Sequence, residues 1–490
     1  MLPRREVVAV VGGGVGALIA LELADLGYDV VILDEQTRLL AGATGRHGRR
    51  LHLGEHYSGD AEFTRDRINT AQRCMLGALA LVRRWPQVAP RPGRWWQFIT
   101  DTSMTSPKAY LEFLAEVRNF HHALRDAGLD EDMAFGPPEA RHRRLAFNEY
   151  SEFVDTRRVV LAMESVEPVL DAAALHSAVM AELHARADRI SVRCRHRVLS
   201  IRAVGEEYAL EARGPEGNVH IRADHVVNAA WHGMRHLSAG VAPDDIQITA
   251  RLRLMAVARI PAPLASLPSM YFHRGVHGNH TNVGRGQALV LAETVSNLHH
   301  VDAPTVPEGW RGLLLADADD AAWVRAFAAY AGQPSTGGEG AEHAPHARAA
   351  ALLAELASIA SGRGTQEARA AMLRSVASRA ILTEYGTYVP EFAAAQPIRL
   401  VPNVVMSMGD AGLWDPSSMI HRRDALVRPR RRGFVDVLTG KLTYAILVAQ
   451  EAAAHVLSSS RGEPVDRTRE IIMSPVVRRA WQPPAVEVPV

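Results

Sequence analysis

The chain has 490 residues, 47% of them hydrophobic, and a formal net charge of +1. That length buries one large or two medium cores, the composition is that of a globular protein, and the charge balance argues against a surface built for nucleic acid. Two cysteines, Cys74 and Cys194, exclude a disulfide framework and a cysteine-based zinc site; no apolar run near the start is long enough for a membrane span or export signal, so a cytoplasmic protein is expected.

The first element is the most informative. Val7 to Val11 is a β-branched run, followed by Gly12-Gly13-Gly14-Val15-Gly16, an alanine- and leucine-rich segment through Gly27, and Val30-Val31-Ile32-Leu33-Asp34. Strand, glycine turn, helix, strand and terminal acid make the βαβ unit that binds a dinucleotide. Gly12, Gly13, Gly14 and Gly16 let the backbone approach a pyrophosphate at the helix N-terminus. Two registers fit: Gly12, Gly14 and Ala17 from the front, or Val11, Gly13 and Gly16 counted back from Gly27. Asp34, with Glu35 beside it, is placed for a ribose hydroxyl, and a carboxylate there repels the 2′-phosphate of NADP. The unit by itself fits NAD or FAD.

Further along, residues 60–85 read as a helix and 95–99 as a strand. Ser106 and Pro107 cap a helix running to about residue 127. Residues 165–232 return to α/β character, with a helix over 175–185, strands within 190–201 and a buried strand over 224–230. Strand candidates follow over 252–260 and 288–294, then a Gly/Ser-rich loop over 332–346 and an alanine-rich helix over 347–360. A strand over 401–409 runs into Gly409-Asp410, and Gly440-Lys441-Leu442-Thr443 opens a helix over 440–455. The last thirty residues read as a tail. The expected architecture is α/β: a Rossmann-like cofactor domain (1–85, 165–232 and 398–460) interrupted by an α+β substrate domain with a mainly antiparallel sheet (86–164 and 233–397), and a tail over 461–490.

Lys108 and Lys441 are the only lysines in an arginine-rich chain. A cation at a helix N-terminus suits the pyrimidine edge of a flavin, where negative charge collects on reduction, with the dipole adding about 0.3–2 kcal/mol. The alternative is a solvated first-turn lysine. Residues 43–54, from Ala43 through Thr44, Gly45, Arg46, Leu51 and His52 to Gly54, alternate glycines with basic residues. His52 is the candidate base, because an alcohol or amine must lose a proton as hydride leaves and imidazole titrates near neutrality; the alternative is a packed histidine. Tyr57 and His56 are second choices, and Arg422, beside His421, offers a planar fork for a carboxylate or phosphate. His273, His277 and His280 mimic a metal-ligand spacing but lie in a Gly/Asn loop without an adjacent acid, so no metal is expected.

Four pieces together resemble one family. The βαβ opening, the Ala-Thr-Gly-Arg-x-Gly-x-x-Leu-His-x-Gly block, Val226-Val227-Asn228-Ala229-Ala230 and Gly440-Lys441-x-Thr443 are similar to FAD-dependent oxidoreductases of the D-amino-acid oxidase and glycerol-3-phosphate dehydrogenase superfamily. The resemblance implies FAD. It places Thr44, Gly45 and Arg46 at the pyrophosphate and ribityl chain, with Leu51 in the same block, and Val198 at the adenine. It puts Ala229 and Ala230 in the cleft, and Gly409, Asp410, Gly440, Lys441, Leu442 and Thr443 at the ribityl and pyrimidine end. It also places His52 beside the flavin, and His47 in a region where some relatives attach flavin covalently. The 52–57 block with 409–423 most resembles members linked to saccharide or secondary metabolism. Two features depart from the family: the irregular glycine turn, and Asp34 where glutamate is more usual. The expected activity is oxidation of a CH–OH or CH–NH carbon of a small polar substrate, with oxygen or another electron acceptor and no nucleic-acid partner; a homodimer is compatible. The rivals are a mutase-like flavoprotein and an NAD-dependent protein.

Overall fold

The computed structural model describes residues 5–46, 48–57, 64–89, 93–129, 134–243, 245–273, 275–302, 306–315, 318–331, 344–408 and 425–473. Its first layer is a six-stranded sheet in the order Leu426–Arg431, Phe434–Leu438, His225–Asn228, Val7–Val11, Asp29–Leu33, Ile190–Arg193. All pairs are parallel except the first. Val7–Val11 lies inside the sheet, buried on both faces, which is why its sequence is continuously apolar. Val8 and Val10 pack under the helices Val15–Asp25 and Ala445–Arg461. Ala9 and Val11 face a separate three-stranded sheet, Arg197–Val204, Glu207–Gly214 and Gly217–Ala223. The period-two alternation of one strand thus feeds two cores.

The second layer is a nine-stranded, mainly antiparallel sheet. Its longest pairing joins Ile248–Arg259 to Pro397–Met408; Ser269–Phe272 and Arg94–Thr100 form its parallel pair. Leu252, Leu254, Ala256 and Ala258 point into a core closed by the helices Asp320–Ala328, Ala344–Ser361 and Gln366–Tyr385. The alternate residues Arg251, Arg253, Met255 and Val257 line cavities on the opposite face.

Three details differ from expectation. Pro397–Met408, expected with the cofactor domain, pairs into the nine-stranded sheet because its length matches Ile248–Arg259. The helix expected over 440–455 begins later: Lys441 is extended (φ −139°, ψ 139°), a single 3₁₀ turn spans Leu442–Tyr444, and the α-helix runs over Ala445–Arg461. The expected tail carries a helix, Val465–Ile472, held to its predecessor by Arg469, whose Nε donates to Glu451 Oε2 at 2.8 Å. Among the described residues, no helix is long and apolar enough to cross a membrane.

The helix Thr64–Arg84 meets the 3₁₀ turn at Gly77. A Cβ there would stand 2.5 Å from the Thr443 carbonyl oxygen and from Tyr444 Cα. Backbone cannot yield as a side chain can, so Gly77→Ala is expected to destabilise the protein by about 1–3 kcal/mol. Gly312→Ala, whose Cβ would meet Ala322 Cβ at an ordinary 3.7 Å, should barely move the midpoint. Urea unfolding of the two variants checks both.

Candidate active site and cofactor cleft

At the carboxyl ends of the parallel strands lies a cavity of about 580 Å³. Sites for small molecules and cofactors span about 300–1,000 Å³. One wall is the glycine turn, and the structure takes part of each sequence register. Gly12 has φ +100°, and a Cβ on it would strike the Ala229 carbonyl, so it is the turn glycine of the front register. Gly14 immediately precedes the helix, and its missing Cβ makes room for the Thr44 hydroxyl. Gly16 is the packing glycine of the other register: a Cβ would lie 2.8 Å from Val10 Cγ1. The turn is therefore one residue short of the common spacing. Gly16 lies behind the cavity rather than on it.

The two acids after the second strand divide their work. Asp34 turns inward, accepting from the backbone N–H of Gly13 and, at 2.7 Å, of Gln36. Burial pushes its carboxyl up to about 6, although both N–H donors favour the ionised form. Asp34 thus sets the shape of the glycine turn as well as bordering the cavity. Glu35 also lines it, held by Arg311 and by His232 at 3.3 Å; burial opposes its ionisation, yet His232 and Arg311 hold it down to about 2.

Val198, Ala229, Ala230, Thr44, Gly440, Lys441 and Leu442 also line this cavity. Four other candidates do not stand where the resemblance put them. Leu51 is buried in the core, its N–H bonded to the Pro168 carbonyl. Gly45 opens on a different cavity. Thr443 lines the neighbouring small cavity. Arg46 reaches the cleft, but its guanidinium donates to the carbonyls of Leu313 (3.0 Å) and Leu315 (2.6 Å) and so is turned away from a pyrophosphate. Gly409, Asp410, His421 and Arg422, and His47, lie outside the described residues.

The small cavity, about 160 Å³, shares Gly440, Lys441 and Leu442 with the large one. His52, His56, Arg50, Arg251, Arg253 and Glu293 line it. Sequence reading missed the last three. Their signal was there: Arg251 and Arg253 alternate with leucines in an otherwise apolar strand, the pattern of charged groups placed on one face. The His52 N–H donates to Thr443 Oγ1 at 3.1 Å, so two motifs 391 residues apart are joined at the site. The His52 ring meets His56 edge-on at 4.5 Å, and His56 stacks on Tyr271 at 4.5 Å. Arg50 NH1 lies 3.3 Å from His56 Nδ1. Arginine only donates, so this nitrogen accepts and the ring proton sits on Nε2. Burial, then Arg50 and His52, hold His56 well below the usual imidazole range. Tyr57 does not border the small cavity; it lies buried beneath Lys441, whose Nζ stands 4.4 Å from its ring centroid. His273, His277 and His280 are buried separately, His273 on Gln97, His277 on Thr100 and His280 on Tyr385. Among the described residues, no group of three or more His, Cys, Asp or Glu could hold a metal.

The loop bearing His52 is anchored by buried charge. Glu167 accepts from Arg50 Nε and from Leu53 N at 2.9 Å. Glu55 accepts from Arg141 Nε at 2.7 Å and lies 3.2 Å from His142 Nε2. Burial pushes Glu167 up against the pull of Arg50, with Glu55 repelling it; for Glu55, burial is outweighed by Arg141 and His142, which hold it well below the usual carboxylate range.

The family model described as FAD dependent oxidoreductase (DAO) matches residues 8–328. The chain belongs to this family. Solved structures with the same fold include glycine oxidase from Geobacillus kaustophilus (15% identity, 94% of this chain and 96% of that one, TM-score 0.54). FAD-bound L-α-glycerophosphate oxidase from Mycoplasma pneumoniae matches likewise (14%, 93% and 95%, 0.54). So does NikD, an unusual amino acid oxidase essential for nikkomycin biosynthesis (14%, 94% and 97%, 0.54). No curated protein sequence matches significantly. The protein is an FAD-dependent oxidoreductase, which sets the NAD alternative aside. The cleft fits that cofactor: Gly12 and Gly14 leave the space a Cβ would fill, a helix N-terminus faces it, and an acid and a lysine stand on its walls.

Asparagine at position 34 would present one acceptor to two N–H donors. Asp34→Asn is expected to cost about 1–3 kcal/mol of stability and to weaken FAD retention. Glu35→Gln should leave the glycine turn intact, so that its stability cost comes from the charge that His232 and Arg311 lose and its FAD retention stays closer to wild type. Equilibrium unfolding and FAD titration of the two apoproteins check this.

Proposed function

We propose that the enzyme oxidises a CH–NH or CH–OH carbon of a small, polar, anionic substrate held in the 160 Å³ cavity, with oxygen or another acceptor taking the electrons onward. The observation that carries this reading is the seam at Gly440, Lys441 and Leu442, which line both the cofactor cavity and a pocket walled by two histidines and several cations. FAD, when bound, accepts the hydride. The chain's own residues do the rest. His52, anchored through its backbone to Thr443, takes the substrate proton. His56, neutral and with its proton on Nε2, is oriented by Arg50 and Tyr271 as a donor rather than a base. Arg251 supplies positive charge for a carboxylate or phosphate. Lys441, buried at the seam, favours negative charge developing there.

The names of the fold neighbours support amine or alcohol chemistry alike. We place the reaction in secondary or saccharide metabolism, supported by the resemblance of the 52–57 block and by the NikD neighbour. We assign residues 1–85, 165–232 and 398–460 to the cofactor domain and the intervening chain to the substrate domain, except that Pro397–Met408 serves both, because Asn403, Val404 and Val405 line the cofactor cavity.

Anaerobic mixing of the FAD-loaded enzyme with a panel of amino acids, N-methyl amino acids, 2-hydroxy acids and polyol phosphate monoesters, with the matching amides and free polyols as uncharged controls, should bleach the visible flavin band for an anionic member. Bleaching by none, or only by uncharged compounds, would overturn the substrate class. His52→Ala should slow bleaching by about 10²–10⁴ with FAD retained, and should flatten the acid limb of the rate profile. Burial and the neighbouring cations hold His56 well below the usual imidazole range, so that ring stays neutral through the limb and is not its source. Lys441→Met should lower the flavin midpoint potential and slow reduction more than it weakens FAD binding.

A further inference from the structure

A third cavity, about 520 Å³, lies beside the other two. It shares only Arg46 with the cofactor cavity and only Leu289 with the reaction cavity. Its walls carry four arginines, Arg38, Arg46, Arg49 and Arg399, together with His176. Among the described residues, no aspartate or glutamate lines it. Its floor is apolar: Val257, Leu289 and Val401 belong to a small buried cluster of their own, with Val283 packed against it.

The arrangement is electrostatically unbalanced. Arg46 is brought down to about 10, first by burial and then by the charge of Arg399. Arg49 is lowered by burial and by the same neighbour. Asp171, a helix N-cap whose Oδ1 accepts from Ala173 and Ala174 N–H at 2.9 and 3.0 Å, offsets part of this positive charge at Arg49. His176 is held below its usual range by burial and Arg38, and its buried Nε2 has no hydrogen-bond partner. Like charges in a partly desolvated space repel, and the repulsion is relieved when an anion enters. Isolated surface arginines do not share an apolar floor; these do.

We propose that this cavity is a separate binding site for an organic anion: a carboxylate or phosphate monoester carried on an apolar body. Arg38, Arg49 and Arg399 take the acid group, Arg46 adding charge from a guanidinium held by the Leu313 and Leu315 carbonyls, and the valine and leucine floor takes the body. The volume suits a small molecule rather than a macromolecule.

Calorimetric titration of the FAD-loaded enzyme with phenyl phosphate, phenylacetate and benzyl alcohol tests this. At least one of the two anions should bind, with affinity falling as salt is raised, and the alcohol should not. Arg399→Gln and Arg38→Gln, both at exposed positions, should each weaken anion binding by about tenfold or more. Lys441→Met, in the reaction cavity, should leave it unchanged. Equal binding of the alcohol, wild-type affinity in both arginine variants, or loss of binding in Lys441→Met would each overturn the proposal.

Discussion

The site depends on one buried arrangement of charge. Arg50, Glu167, Glu55 and Arg141 have side chains no more than 5% exposed. Two carboxylates so close cannot both ionise freely, and the arginines on either side stabilise the negative charge that remains. Such a cluster adds little net stability compared with an apolar replacement, but removing one member strands a charge at a cost of about 3–5 kcal/mol. Its value is positional. Glu167 fixes Arg50 and the Leu53 N–H, and Arg141 also grips the Leu53 carbonyl at 2.7 Å. Arg50 in turn lies over Trp95 and Tyr271 of the antiparallel sheet, 4.3 and 4.9 Å from their ring centroids. One guanidinium therefore sets the height of the histidine loop over the sheet that forms the substrate side.

The consequence is a division of labour between faces. Ile248–Arg259 gives its even-numbered side chains to the core and the odd-numbered ones from Arg251 to Val257 to the cavities. Chemistry is thus written on alternate residues of a strand whose other face is held by helix packing. The cofactor cleft is built by the opposite device, backbone approach at glycines, where side chains are excluded rather than displayed. The two meet at Lys441, whose extended backbone projects it between the cavities before the helix begins.

The βαβ unit was legible because each part has a local signal: a β-branched run, glycines and a following acid. The register of the glycines was not, because choosing between Gly16 and Ala17 requires knowing that Val10 lies behind the helix. His52 and Lys441 could be singled out as residue types in motifs, but the Thr443 bond that brings the two motifs together spans 391 residues and leaves no local trace. The resemblance put Arg46 at the pyrophosphate; its carbonyl partners at 313 and 315 belong to a helix end far along the chain. Glu35 and Asp34 are chemically alike, and only the inward turn of Asp34 toward the Gly13 N–H separates their roles. What sequence missed is consistently the non-local partner.

The cofactor cavity has residues from Val11 to Ala445 on its walls. Strand Val7–Val11 is flanked by Asp29–Leu33, made soon after it, and by His225–Asn228, made much later; Phe434–Leu438 adds to the edge later still. On the ribosome, the glycine turn therefore emerges with only half its walls, and no complete cleft exists until the helix after Lys441 has been synthesised. A complete cofactor cleft in this chain thus depends on bringing its most distant segments together, the kind of long-range pairing that slows folding.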